Sequence, residues 1–160
     1  MVFHTNYNPF LNSPKYVDEW IEKNAVCWGR VLEEHPDIGI YIENMFDSSL
    51  EIMERLAEKL SGFGNFGICL DVAHAALTNV PLREWVQALG RYVRHLHIND
   101  NDLKSDLHLA VGDGRIDWDE FYSLYDEYLD GASILIETSS LENQKRSISR
   151  LCADGFLTAM

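Results

Sequence analysis

The sequence predicts an α/β protein built on a parallel sheet, and three observations carry that prediction. Short β-rich runs and amphipathic helical stretches alternate in strict turn along the chain. Capping signals stand where the helical stretches begin. Each apolar strand runs into a carboxylate or a histidine, so one end of the sheet is polar. Repeated βα units put the strands parallel and the helices outside them. Such a sheet is either open and doubly wound or closed into a (β/α)8 barrel. No glycine-rich GxGxxG or Walker loop follows any strand, which weakens the nucleotide-binding open-sheet reading.

The elements read in order. Residues 1–5 form a short extended segment, followed by a polar loop with Pro9. Ser13-Pro14 reads as an N-cap with proline in the first turn, opening a helix to about Glu34. Its buried stripe is Val17, Trp20, Ile21, Trp28, Val31 and Leu32, at helical spacing. Residues 38–43 (IGIYIE) form a strand. Ser48-Ser49-Leu50-Glu51 fits a capping box for a helix with Met53, Leu56, Ala57 and Leu60 inward, ended by Gly62 and Gly64. Residues 66–70 form a buried strand. Pro81 opens a helix carrying Leu82, Trp85, Val86 and Leu89, stopped by Gly90. Residues 92–98 form a strand, and residues 106–111 a shorter extended piece before Gly112-Asp113-Gly114. Asp117-Trp118-Asp119-Glu120 is a second capping box, with Phe121, Leu124, Tyr125 and Tyr128 inward. Residues 133–137 form the last strand and residues 141–151 the last helix, marked by Ile148 and Leu151.

Composition excludes several classes. The chain has 160 residues, one domain's worth, with 46% hydrophobic and 24% charged residues, ordinary for a folded protein. Thirteen Lys and Arg against 26 Asp and Glu give net charge −13, which disfavours nucleic-acid and anionic-membrane binding. No apolar run approaches the ~18–20 residues of a membrane span. The first residues show no signal peptide. Cys27, Cys69 and Cys152 have no CxxC or finger spacing and read as reduced, mostly buried thiols of a cytoplasmic protein.

The functional signal lies at the strand ends. His4, Glu43, Asp71, His74, His97, Asp106, His108 and Glu137 stand at or just after apolar runs; His35 and His95 fall outside the set. In a parallel α/β protein such residues converge on one mouth. Taken singly, each has a bland reading: a helix cap, a solvated acid or a core histidine. Together, four carboxylates and four imidazoles in one place demand compensation. A divalent metal is the simplest, and imidazole plus carboxylate is an ordinary ligand set for Mn, Mg, Co or Zn.

The segments Ile-Glu-Asn (42–44), Gly-Ile-Cys-Leu-Asp-Val-Ala-His-Ala (67–75), His-Ile-Asn-Asp-Asn (97–101), Asp-Leu-His-Leu-Ala-Val-Gly-Asp-Gly-Arg-Ile-Asp-Trp (106–118) and Ile-Glu (136–137) resemble the xylose isomerase-like TIM barrels. That superfamily holds sugar phosphate isomerases and epimerases and the endonuclease IV type of AP endonuclease. The resemblance covers nearly the whole chain. It implies a (β/α)8 TIM barrel, N-terminally truncated to about strands 3–8, because a full barrel needs ~250 residues. The domain is then residues 1–160, a partial barrel lacking the first two βα units, with two open edges.

By the same resemblance a single metal site is Glu43, Asp71, His97 and Glu137, with Glu43 and Glu137 also the catalytic pair. His74 lies beside it, touching substrate or a second metal. A trinuclear, endonuclease-like site adds His4, His74, Asp106 and His108. The family's basic residue after the His97 strand has only Lys104 as its nearest candidate. The leading expectation is a metal-dependent sugar or sugar-phosphate isomerase or epimerase, moving a proton next to a carbonyl through a metal-stabilised enediolate. The alternatives are a zinc AP endonuclease, or a truncated, non-catalytic metal-binding barrel fragment. The acidic composition, with only Lys104 and Arg115 as cations in the mouth loops, favours a small sugar partner over nucleic acid or membrane. The open edges suggest a homo-oligomer.

Overall fold

A computed structural model describes residues 1–45 and 50–157. Five parallel strands form one sheet in the order β1-β2-β3-β4-β5: β1 (Val2–His4), β2 (Ile40–Glu43), β3 (Phe66–Asp71), β4 (Val93–Ile98) and β5 (Ser133–Ile136). The helices are α1 (Pro14–Glu34), α2 (Leu50–Leu60), α3 (Val72–Ala76), α4 (Leu82–Leu89), α5 (Trp118–Leu124) and α6 (Leu141–Ala153). Strictly sequential, all-parallel order is what repeated right-handed βα units produce.

Local chemistry accounts for the elements. The Ser13 hydroxyl accepts from the Tyr16 N–H and Pro14 occupies the first turn, so α1 starts where expected. Asp117 caps α5 by accepting from the Glu120 N–H at 3.0 Å. The Ser48 capping box lies outside the described residues. Alternation sends Ile40, Ile42, Ile68, Leu70, Leu96 and Ile98 to one face, where they form one core with Leu56, Leu60, Trp85, Leu89, Phe121 and Leu124 of the helices. Every residue of β3 is buried, as befits the central strand of a covered parallel sheet.

Several expectations are corrected. Residues 106–111 do not form a strand, so the sheet has five strands rather than six. His108 takes a left-handed φ of 47°, which interrupts any extended run. Leu109 instead makes a lone antiparallel bridge with Asp100, and β5 pairs directly with β4. Tyr128 is exposed rather than inward, and Ile148, an apolar mark of the last helix, is exposed too. Tyr128 lies in a π-helical turn (Tyr125–Leu129), whose wider winding rotates it off the buried stripe. Cys27 is exposed, Cys152 partly so, and only Cys69 is buried.

A register shift positions the site. Ile68 stands opposite Val93, but the next residue, Cys69, stands opposite His95, leaving Arg94 unopposed. In unshifted register Cys69 and Asp71 would face Arg94 and Leu96. The extra residue turns the alternation over, so His95 and His97 join Cys69 and Asp71 on the inner face. Gly67 makes room for this: a Cβ there would come within 2.6 Å of Arg94 Cγ and 3.0 Å of Tyr41 Cδ1.

Candidate metal centre

Glu43 is the last residue of β2, Asp71 the last of β3, His97 lies near the end of β4, and Glu137 directly follows β5. Strand ends of a parallel sheet point the same way, so residues 94 positions apart in sequence converge. One ligand atom from each of the four lies within 4.8 Å of the others. His97 Nδ1 sits 3.2 Å from Glu43 Oε1 and 2.9 Å from Glu137 Oε2. The Glu43 side chain is 2% exposed, while that of Glu137 is 40% exposed and reaches the open side of the site.

Asp71 has two jobs, one per oxygen. Oδ1 accepts from the His74 N–H at 2.7 Å, capping α3. Oδ2 is buried with no hydrogen-bond partner. The Asn44 amide fixes the β3 end, accepting from the Asp71 N–H at 2.8 Å and donating to its carbonyl at 3.0 Å.

Three further expected residues form an adjoining cluster: His74, Asp106 and His108. His74 Nδ1 donates to the Asn44 carbonyl at 2.9 Å and His108 Nδ1 donates to the Glu137 carbonyl at 2.9 Å. A carbonyl only accepts, so these bonds fix both tautomers and leave Nε2 aimed elsewhere. Both Nε2 atoms face one oxygen, Asp106 Oδ2, at 3.4 and 3.2 Å. His4 is the outlier of the expected set: half-exposed at 51%, it approaches Glu43 Oε2 only at 3.5 Å. Lys104 is exposed on the loop after β4.

The electrostatics show what the cluster lacks. Burial pushes the Asp71 carboxyl up, to about 6, against the pull of the neighbouring His74 and its backbone N–H. Burial opposes charging of His97, yet the hydrogen bond and charge of Glu43 and the charge of Glu137 hold its pKa above the ordinary imidazole value. His74 and His108 are raised in the same way, burial being outweighed by Asp71, the Asn44 carbonyl and Asp106 in one case and by the Glu137 carbonyl and Asp106 in the other. The group thus gathers protons to neutralise crowded acids. Among the described residues the buried side-chain atoms without partners are Asp71 Oδ2, both amide atoms of Asn99 and Asp106 Oδ1, all at this end of the sheet. Orphaned acceptors, crowded carboxylates and imidazole nitrogens held by outer hydrogen bonds fit a divalent cation.

Residues 1–153 match the family model for the xylose isomerase-like TIM barrel. The chain belongs to that family. Uncharacterized protein MJ1311 of Methanocaldococcus jannaschii is 30% identical, the alignment covering 92% of this chain and 53% of the relative. Fructoselysine 3-epimerase of Shigella flexneri is 26% identical over 82% of this chain and 53% of its own length. Among solved structures, a D-tagatose 3-epimerase-like protein superposes with a TM-score of 0.79 at 26% identity, covering 95% of this chain and 60% of that one. The TTHB071 protein from Thermus thermophilus, soaked with ZnCl2, gives 0.74 at 25% identity, covering 95% and 59%. This xylose isomerase-like chain therefore spans about half the length of the curated relatives it matches.

Three features of the site were not foreseen from the sequence. Asn44 and Asn99 stand in the quoted Ile-Glu-Asn and His-Ile-Asn-Asp-Asn segments, but no role was assigned to them. Asp100 is a buried carboxylate that accepts from the N–H groups of Asn101, Gly112 and Ile116 and from Trp118 Nε1, at 2.8–3.2 Å, holding the loop that presents Asp106 and His108. His95, set aside in the sequence, lies against His97 with ring centroids 5.2 Å apart. Its spacing of two residues from His97 on one strand was the available signal.

Proposed function

We propose that this chain carries the metal-binding and proton-transfer residues of a sugar or sugar-phosphate isomerase or epimerase. One observation supports this reading above the rest: two glutamates, Glu43 and Glu137, contact the same His97 nitrogen from different strands, within a cluster that also holds Asp71. Glu43, Asp71, His97 and Glu137 would hold a divalent ion, which when bound neutralises the oxyanion that develops as a proton leaves carbon.

The chain's own residues account for the rest. Glu43, buried and fixed at the end of β2, has little freedom, so it defines one side of the reacting carbon. Glu137, on the open side, removes or returns a proton from the other direction. Asp71 stays in place because its other oxygen caps α3. His74, held by Asn44, presents Nε2 toward the Asp106 side, where a substrate hydroxyl can bind. The fructoselysine 3-epimerase and the D-tagatose 3-epimerase-like protein among the similar proteins support the reaction class. The net charge of −13 suits a small substrate better than a polyanionic duplex.

The test incubates Mn²⁺-loaded protein with a panel of ketoses, aldoses and their phosphates in D₂O. Deuterium at the carbon next to the carbonyl, abolished by Glu137→Gln and by Glu43→Gln, supports the reading. Cleavage of an abasic-site duplex with no exchange into any sugar would favour a phosphodiesterase built on the His74, Asp106 and His108 cluster.

A further inference from the structure

Period-two alternation places a second donor set one rung below the first. Cys69 precedes Asp71 by two residues on β3, and His95 precedes His97 by two on β4. The register that pairs Asp71 with His97 also pairs Cys69 with His95. The thiol and both imidazoles therefore point to one face. A ligand atom from each of Cys69, His95 and His97 lies within 4.8 Å of the other two. His95 Nδ1 bonds the Ser133 hydroxyl at 2.8 Å, an outer contact of the kind that orients a metal-binding imidazole.

We propose that Cys69, His95 and His97 form a second, softer metal site selective for zinc and similar thiophilic ions, and that it competes with the carboxylate cluster for His97. The chemistry separates the two sites. Glu43, Asp71 and Glu137 offer hard oxygens suited to Mn²⁺ or Mg²⁺. Cys69 and His95 offer sulfur and nitrogen, which those ions bind poorly and zinc binds well. Three protein ligands would leave a fourth position for water, and His95 is only half-buried. The three carboxylates close by supply the field that holds a cation. Metal entry replaces the thiol proton: the S–H bond breaks, a sulfur–metal bond forms, and one proton leaves to solvent with no change of oxidation state.

His97 is the shared element. Serving two ions at once would require both ring nitrogens, and so loss of the ring's last N–H proton. A neutral imidazole serves one ion, so zinc at the sulfur site withdraws His97 from the carboxylate cluster. The competition rests on the carboxylate cluster being the metal centre proposed above; the sulfur site does not.

The test uses Cd²⁺ as a spectroscopic stand-in for zinc, in the C27S/C152S background with a non-thiol reductant. The expected result is a saturable ultraviolet sulfur-to-cadmium charge-transfer band at one equivalent. Cys69→Ser abolishes the band, and His95→Gln weakens cadmium affinity by more than the roughly 10–100-fold that loss of an outer contact costs. Circular dichroism checks that both variants are folded, and either one alone decides the matter. No band at saturating Cd²⁺, or a band that survives Cys69→Ser, overturns the sulfur site. Release of bound Mn²⁺ by one equivalent of Cd²⁺ in the native chain but not in Cys69→Ser, seen by electron paramagnetic resonance, supports the sharing of His97; Mn²⁺ retained with the band present, or equal release in both chains, overturns it. A cadmium band in a protein that never binds Mn²⁺ would keep the sulfur site and sink the carboxylate centre instead.

Discussion

Asp71 and His97 stand directly opposite each other across β3 and β4, and they do so because Arg94 has no partner on β3. One extra residue in β4 turns His97 from the core face to the face that holds Glu43, Asp71 and Glu137. The centre therefore depends on a backbone irregularity as much as on its side chains.

Gly67→Val tests that dependence. A side chain at position 67 must displace Arg94 and Tyr41, which approach within 3.0 Å of the missing Cβ. Overpacking of this kind costs about 1–3 kcal/mol. Urea denaturation should show that loss, and Mn²⁺ affinity should fall although no ligand was changed. Arg94→Ala in the same chain should recover part of both, a coupling that a double-mutant cycle measures.

Stability of the metal-free protein should fall as pH rises. Asp71, His74, His97 and His108 all have folded pKa values above their ordinary ones, so the folded state binds more protons than the unfolded chain. For each group the contribution is full below its unfolded pKa and is lost as pH rises through its folded pKa. Asp71 acts between about 4 and about 6, the histidines above 6.5. His95 is lowered by burial and by His97, the opposite sign, but is one ring against three. Thermal midpoints with chelator present should decline from about pH 5 to about pH 8. Saturating Mn²⁺ should reverse the trend, because ligands must lose their protons to bind.

Asp71→Asn should separate folding from metal binding. Asparagine keeps an oxygen to cap α3 through the His74 N–H, and it replaces the unpartnered Oδ2 with a donor facing acids. At about pH 8 the metal-free variant should be more stable than the native chain by roughly 1–3 kcal/mol, since a buried charge is gone. Chemical denaturation measures the sign directly.

Among the described strands β1 pairs only with β2, and β5 only with β4. Met1 and Leu135 are exposed there. Unpaired edges template association, while a net charge of −13 opposes it. Light scattering should show association that grows with protein concentration and with salt, which screens the repulsion. A monodisperse monomer at all salt concentrations would contradict this.

Much of this was legible because it is periodic. The alternation of elements, the Ser13 and Asp117 caps, and the acid or histidine ending each strand are local signals. The register shift at Arg94 was not, since nothing in Val-Arg-His-Leu-His marks where the alternation turns over. His95 was set aside because it lies inside the strand rather than at its end, although its two-residue spacing puts it on the same face as His97. Residues 106–111 read as a strand because their apolar spacing is extended; the left-handed φ of His108 is a tertiary choice, fixed by its bond to the Glu137 carbonyl. The Asp100 clamp draws donors from positions 101 to 118, beyond any short motif.

The central claim is that Glu43, Asp71, His97 and Glu137 hold one divalent ion. Equilibrium dialysis against Mn²⁺ near pH 7.5, read by electron paramagnetic resonance, tests it most directly. The native chain should bind one ion tightly, and Asp71→Asn and His97→Ala, both folded by circular dichroism, should each lose that binding. Equal Mn²⁺ content in the native chain and both variants would contradict the account.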